Sequence, residues 1–543
     1  MALVGLIPLL GGLTFGMATG AQVMLPYGSV NGNTLHQCKE YLGIPFAAKP
    51  DRFMPPRPWT SRYPGGHLEA KKYTPACMQQ QRALSPITSG YSEDCLHLNV
   101  YTPIGTSTDG TKWPVMVWIH GGSLTTGSAM IPLYNGSQLA SKQKVVVVAI
   151  NYRLNFFGFG VTILYDGKSS ANNGFRDQRE GLRWVRKHIA AFGGDASSVT
   201  IFGESAGGQS TTTHVLTLGS KGLFDRAISE SGDMLNVASM IAAQDMTKSV
   251  TRQLNCTGIS PAEQLACLQR ADKNALLQAA NGSGPGAVVD MDVYEADPLT
   301  LIASGKFNQV PFMFGNNADE GNLFVYPPST NTTPASAADV KCAMMRAFGD
   351  KMGEEVLQIY APVNTVGIDN RNIVAEIFGD VLFHCDNRRV AQALSKAGVA
   401  PWVYSFNRQP SCPMWPGAHH GAEIAYVFQN FDAGHIHSTC KASPDDVRLS
   451  EKVSAMWVAF ARTGTIDGWP RFNSPGNEAN LNIDLGLLEA LDTELGRRRS
   501  QCDAMDRIGA LTSDILGAGI LSALLQCQGG AFTSSMRQHD VYV

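Results

Sequence analysis

Five short apolar runs, each leading into a Gly- or Asn-rich loop or the start of one, set the narrowest limit on how this chain folds. Val115-Met116-Val117-Trp118-Ile119 leads into His120-Gly121-Gly122. Val145 to Ile150 leads into Asn151-Tyr152-Arg153, Val199 to Phe202 into Gly203-Glu204-Ser205, and Val310 to Phe314 into Gly315-Asn316. Trp402 to Phe406 is the fifth. Runs without polar alternation suit strands buried on both faces. Amphipathic helical patterns lie between them: Leu182, Val185, Ile189 and Phe192 recur at spacings of three and four. This alternation predicts an α/β chain with a large, mostly parallel central sheet flanked by helices. In such sheets, sites form at the carboxyl ends of strands.

Composition narrows the class. A hydrophobic fraction of 44% over 543 residues is enough for a large core and too high for disorder. With charged residues at 16%, a net charge of −3 and no long basic run, a nucleic-acid partner is not expected. Residues 1–21 run from Met1-Ala2-Leu3-Val4 through an apolar stretch to small residues at Ala18-Thr19-Gly20-Ala21, which reads as a secretory signal peptide. Residues 22–543 then form one domain, expected outside the cell. Eleven Cys fit an oxidising compartment. Asn-x-Ser/Thr sequons at Asn135, Asn255, Asn281 and Asn331 are expected glycan acceptors. The apolar stretch 508–525 carries Asp514 and several Gly and Ser, and reads as a packed C-terminal helix rather than a membrane anchor.

Three motifs carry the chemistry: Gly203-Glu204-Ser205-Ala206-Gly207, then Gly315 to Gly321 with Asp319-Glu320, then Gly417-Ala418-His419-His420-Gly421. Serine, acid, histidine is a chain order used by Ser-His-acid hydrolases. A serine hydroxyl is a poor nucleophile until a histidine accepts its proton, and the histidine needs an acid to orient it. Spacing alone leaves His420 against His419 as base, and Glu320 against Asp319 as acid. An oxyanion formed at Ser205 needs backbone donors. The Gly121-Gly122-Ser123 loop and the N–H of Ala206 are the candidates, because small residues let a backbone approach a substrate closely.

The same motifs, together with Glu93-Asp94-Cys95-Leu96-His97-Leu98-Asn99-Val100, the block from Asp177 to Gly208, Gly43-Ile44-Pro45-Phe46-Ala47 and Asn151-Tyr152-Arg153, resemble the type-B carboxylesterase/lipase family, which includes the cholinesterases. The resemblance runs from about Tyr27 to Phe472. It implies an α/β-hydrolase fold with Ser205, Glu320 and His420 as catalytic triad, and Gly122, Ser123 and Ala206 as oxyanion hole. Ser123 stands where the family's loop usually has a third glycine. The resemblance also implies disulfides Cys77–Cys95 and Cys256–Cys267; Cys412–Cys440 and Cys502–Cys527 are further expectations. It implies no metal and no cofactor.

The expected activity is hydrolysis of small to medium carboxylic esters through an acyl-serine. Cys77 and Cys95 stand only 18 positions apart, a short loop for a lipase lid, and Tyr91 is the one aromatic between them. Neither interfacial activation nor selectivity for choline esters is therefore expected; a choline site needs an aromatic face for its cation. Two other readings keep the same fold: an acyl-transfer or lactone-forming enzyme of a natural-product pathway, and a non-catalytic binding protein.

Overall fold

The computed structural model describes residues 21–81, 87–105, 110–164, 168–326, 333–360, 369–412, 415–433, 441–510 and 517–528. Eleven strands make the main sheet: β1 (Asn33–Thr34), β2 (Cys38–Pro45), β3 (His97–Pro103), β4 (Trp113–Ile119), β5 (Val146–Ile150), β6 (Gly194–Glu204), β7 (Arg226–Glu230), β8 (Phe312–Asn317), β9 (Trp402–Phe406), β10 (Ala479–Ile483) and β11 (Asp492–Leu495). Their spatial order is 11-10-9-8-7-6-4-5-3-2-1. The block from β5 to β10 is parallel, and antiparallel strands extend both edges. All five apolar runs are strands of that block.

The apolar runs are continuous because each strand buries both faces. Val115, Val117 and Ile119 of β4 join one core with Val146, Val148 and Ile150 of β5. Met116 and Trp118 point to the opposite core with Val147 and Ala149. Helix α1 (Asn173–His188) covers the first core through Leu182 and Val185. A later helix, Pro444–Thr463, covers the second through Leu449, Val453, Trp457 and Phe460. The chain goes from β4 to β5 on one side and returns across β4 to β6 on the other. That reversal puts a topological switch point at the carboxyl ends of β4 and β6, the place where ligands bind in open α/β sheets.

A buried ion pair ties α1 to the loop after β5. Arg153 Nη2 lies 2.7 Å from Asp177 Oδ1, with side chains 6% and 0% exposed. Arg153 Nε also donates to Asp177 Oδ2 at 2.7 Å, making the pair bidentate. Burial raises the Asp177 carboxyl above its ordinary value, and the charge and hydrogen bonds of Arg153 work against that rise.

Four disulfides join described residues: Cys77–Cys95, Cys256–Cys267, Cys342–Cys527 and Cys385–Cys502. The Cys502–Cys527 pairing expected from sequence is wrong. Cys502 sits on the helix Arg499–Arg507, packed on the chain around Cys385, whereas Cys527 ends the helix Gly517–Cys527, which packs on the helix Ala337–Phe348 carrying Cys342. Of the stretch 508–525 expected as a packed C-terminal helix, the part from Gly517 lies in the helix Gly517–Cys527, residues 508–510 are not helical, and residues 511–516 lie outside the described residues. Cys440, Asn331 and all but Ala21 of the expected leader over residues 1–21 lie outside the described residues. Cys38 is free and buried. Among the described residues no helix is long and apolar enough to cross a membrane.

Removing one partner of the Arg153–Asp177 pair strands a buried charge. Asp177→Ala is expected to cost about 3–5 kcal/mol, read as a lower thermal unfolding midpoint. The double variant Arg153→Met, Asp177→Leu should recover much of that loss. A single variant that unfolds where wild type does contradicts the assignment.

Candidate active site

Ser205 follows β6 in a backbone conformation that few side chains accept, φ 57° and ψ −123°, and helix α2 (Ala206–Leu216) starts at the next residue. Its neighbours make this turn possible. A Cβ on Gly207 would stand 2.0 Å from the carbonyl oxygen of Ile119, and one on Gly203 would stand 2.4 Å from the same atom. Both positions therefore require glycine. The turn is held by Ser205 N–H donating to Glu230 C=O at 2.9 Å.

The loop after β4 closes over the same point. The Cβ position of Gly121 is 3.1 Å from Ser205 Cβ. Gly122 takes φ +106° and Ser123 φ 54°, while Gly122 C=O accepts from Thr125 and Thr126 N–H. Among the described residues the N–H groups of Gly122 and Ser123 have no acceptor in the protein. Ala206 is the first residue of α2, where a helix leaves its N–H unpaired. Ser123 thus keeps a free donor despite its side chain, in a left-handed conformation that glycine usually supplies.

His420 and Glu320 meet. His420 Nδ1 lies 2.5 Å from Glu320 Oε2, both fully buried side chains. Glu320 Oε1 accepts from Asn317 N–H at 2.7 Å. The rivals do other work. Asp319 is exposed and its carboxylate accepts from Ala418 N–H at 2.9 Å, which pins the loop carrying His420. His419 turns to Trp415, ring centroids 5.2 Å apart, and burial holds it well below the ordinary histidine value, at about 4.

Nε2 of His420 faces the residue before the serine. Glu204 Oε1 is 3.1 Å away, out of line for a hydrogen bond, so both atoms lack a hydrogen-bond partner among the described residues. Ser205 Oγ likewise makes no hydrogen bond there, and lies one residue from this contact. Two aromatic rings wall the imidazole, Phe383 at 4.7 Å and Phe324 at 5.2 Å between centroids.

Three carboxyls act on this histidine, Glu204, Glu320 and Glu423, and a fourth, Glu230, acts on Glu423 and Glu204. Burial pushes Glu320 up, but the attraction and hydrogen bond of His420 outweigh it and leave it below its ordinary value. Burial dominates at Glu204, Glu423 and Glu230 and raises all three. At His420 burial acts against the charged ring, yet Glu204 and Glu320 overcome it and raise the histidine. Glu423 accepts from Asn317 Nδ2, and Glu230 Oε1 accepts from Trp457 Nε1 at 2.8 Å. Sequence reasoning missed Glu204, Glu230, Glu423, Phe324 and Phe383. Only Glu204 carried a local signal, as the residue inside the serine motif.

The fold and these contacts have relatives. The family model described as "Carboxylesterase family" matches residues 19–502. The chain belongs to the carboxylesterase family. It is 32% identical over 505 residues to the para-nitrobenzyl esterase of Bacillus subtilis (strain 168), covering 88% of this chain and 97% of that one. It is 34% identical over 509 residues to the liver carboxylesterase of Sus scrofa, covering 84% and 87%. A solved structure of PNB esterase superposes with a TM-score of 0.75 at 30% identity, covering 90% of this chain and all of that one. The fold is that of the α/β-hydrolases, and the protein is a carboxylic ester hydrolase.

A histidine base works only when neutral; with His420 as the expected base, kcat/KM of this carboxylesterase should rise with pH along a limb set by this residue. The flanking carboxylates place that limb above the ordinary histidine value. Glu204→Gln removes one stabilising charge, so the imidazolium deprotonates sooner and the limb moves to lower pH. Rate profiles with para-nitrophenyl acetate would show this; a limb that stays in place refutes the electrostatic role of Glu204.

Proposed function

We propose that this carboxylesterase is a secreted enzyme that hydrolyses small to medium carboxylic esters through an acyl-Ser205 intermediate. The observation that carries the reading is the 2.5 Å contact between His420 Nδ1 and Glu320, beside a serine held on a strained strand-to-helix turn. His420 Nε2 takes the Ser205 proton as Oγ attacks the ester carbonyl. The oxyanion receives the free N–H groups of Gly122, Ser123 and Ala206. Collapse of the tetrahedral adduct breaks the ester C–O bond, and the alcohol leaves with the proton from His420. Water then attacks the acyl-serine by the same route, releasing the acid and restoring Ser205. No step calls for a metal or cofactor.

The substrate range follows from the loop closed by Cys77–Cys95. Its one aromatic, Tyr91, is partly buried and pairs through its backbone with Ala76. In that position Tyr91 is not set to hold a quaternary ammonium, and the short loop suits soluble esters rather than an oil interface. Export is proposed from the apolar leader over residues 1–21 and fits the oxidised cysteines. Asn255 and Asn281 are exposed and suited to carry glycans. Asn135 is half-buried, with its amide nitrogen 3.4 Å from Tyr73 Oη and its oxygen accepting from Ser137 N–H.

A fluorophosphonate probe should label wild type at Ser205 alone, identified by mass spectrometry of the modified peptide, and leave folded Ser205→Ala unlabelled. Glu320→Gln should lose at least about 100-fold in kcat, whereas Asp319→Asn should lose far less. A folded wild-type chain that takes no label refutes the acyl-serine reading.

A further inference from the structure

One turn of chain touches the proposed base and the backbone carbonyl behind the proposed acid, and none of its residues belongs to the motifs above. Asp380–His384 is a π-helical turn between the helices Arg371–Gly379 and Cys385–Lys396. Such turns are rare, and the wider coil sets successive side chains closer together round the axis than an α-turn does. Here two successive side chains both face the site. Phe383 lies on the His420 ring, and His384 Nε2 lies 3.0 Å from the carbonyl oxygen of Asn317.

Asn317 is the hub behind the acid. Its N–H donates to Glu320 Oε1 at 2.7 Å, and its side-chain nitrogen donates to His419 C=O at 2.7 Å and to Glu423. The 317–318 peptide is gripped on both sides, since Ala318 N–H donates to Phe406 C=O at 2.8 Å while the carbonyl meets His384. A carbonyl only accepts, so this contact calls for an N–H at Nε2; Nδ1 likewise faces acceptors, the Gly379 carbonyl at 3.2 Å and the Asp380 carboxylate.

The π-turn is itself fixed. Asp380, fully buried, accepts from Arg498 Nε at 2.7 Å and from Tyr360 Oη at 2.7 Å, and its Oδ1 lies 3.3 Å from His384 Nδ1. Cys385–Cys502 anchors the next residue. Gly379 packs tightly enough that its Cβ position is 3.4 Å from Glu320 Cβ.

We infer that His384 is a positioning residue for ester hydrolysis: its donor to the Asn317 carbonyl, backed by Asp380 and Arg498, sets the turn that aims Glu320 at His420. The inference rests on the triad proposed above. It requires that loss of the His384 donor let the turn carrying Glu320 drift and weaken the Glu320–His420 contact.

The test compares His384→Phe, His384→Met and His384→Gln with wild type, each rate divided by the concentration of sites titrated with a fluorophosphonate. His384→Phe and His384→Met remove the donor; His384→Gln keeps one. The donor-less variants should lose about 10-fold or more in kcat with KM changed less than about threefold. Their acid limb in kcat/KM should shift to lower pH, because a misaimed Glu320 stabilises the imidazolium less; His384→Gln should recover both. The other ionisable groups around His384 are Asp380, Glu320, Arg388, Glu478, Arg497 and Arg498, all unchanged in these variants. A purely structural role would lower the titrated fraction or the unfolding midpoint and leave the limb in place. Should Phe not fit, Met against Gln isolates the donor. Wild type that takes label while donor-less variants match it in kcat and limb overturns this inference alone. Wild type that takes no label removes the triad reading and this one with it.

Discussion

The site depends on a steric constraint at the end of β4. The carbonyl oxygen of Ile119 sits so close to Gly203 and Gly207 that a side chain at either would collide with it. That closeness lets the strand bearing Ser205 and the helix after it press against β4, bringing the Gly121-Gly122-Ser123 loop over the serine. It also forces Ser205 through a turn that strand and helix alone would avoid. Strain of this kind, of order 1–3 kcal/mol per residue, persists only where surrounding packing over-determines it. Here β4 and β7 flank the turn and the Glu230 carbonyl holds the Ser205 N–H.

Around this fixed point the chain concentrates carboxyl groups in a place water hardly reaches. Glu320, Glu204 and Glu423 act on one imidazole, Glu230 lies behind them, and burial pushes all four carboxyls up. His420 decides which of them ionises. The carboxyl in its direct hydrogen bond drops below the ordinary range, while burial raises the others. The arrangement favours the charged histidine, the form a base reaches after taking a proton. Low dielectric strengthens each such attraction, and the rings of Phe324 and Phe383 help keep it low.

The parallel sheet was legible because strands buried on both faces write themselves as unbroken apolar runs. The serine turn was legible because only glycine tolerates the approach to Ile119. The positions of Ser205, Glu320 and His420 were therefore marked by local patterns. What lay hidden was held by contacts distant in the chain. The His419–His420 choice turns on which ring reaches Glu320, 100 positions away. Asp319 and Glu320 are told apart only because one faces Ala418 N–H and the other the imidazole. Cys502 and Cys527 looked like partners by proximity in sequence, but two different helices carry them to Cys385 and Cys342.

Phe383 and His384 show the same limit from the opposite direction. Neither belongs to a motif, and their neighbours Val381 and Leu382 read as ordinary helix core. A local widening of the helix turns two consecutive side chains toward two different members of one site. An α-helical hydrophobic pattern cannot reveal that widening, because it is fixed by Arg498, Tyr360 and Cys502 from elsewhere in the chain. The geometry of Glu320 and His420 thus depends on a packing layer that reaches outward through Asp380 to Arg498. Glycine-rich loops mark where chemistry is located; the packing behind them determines how well its groups are aimed.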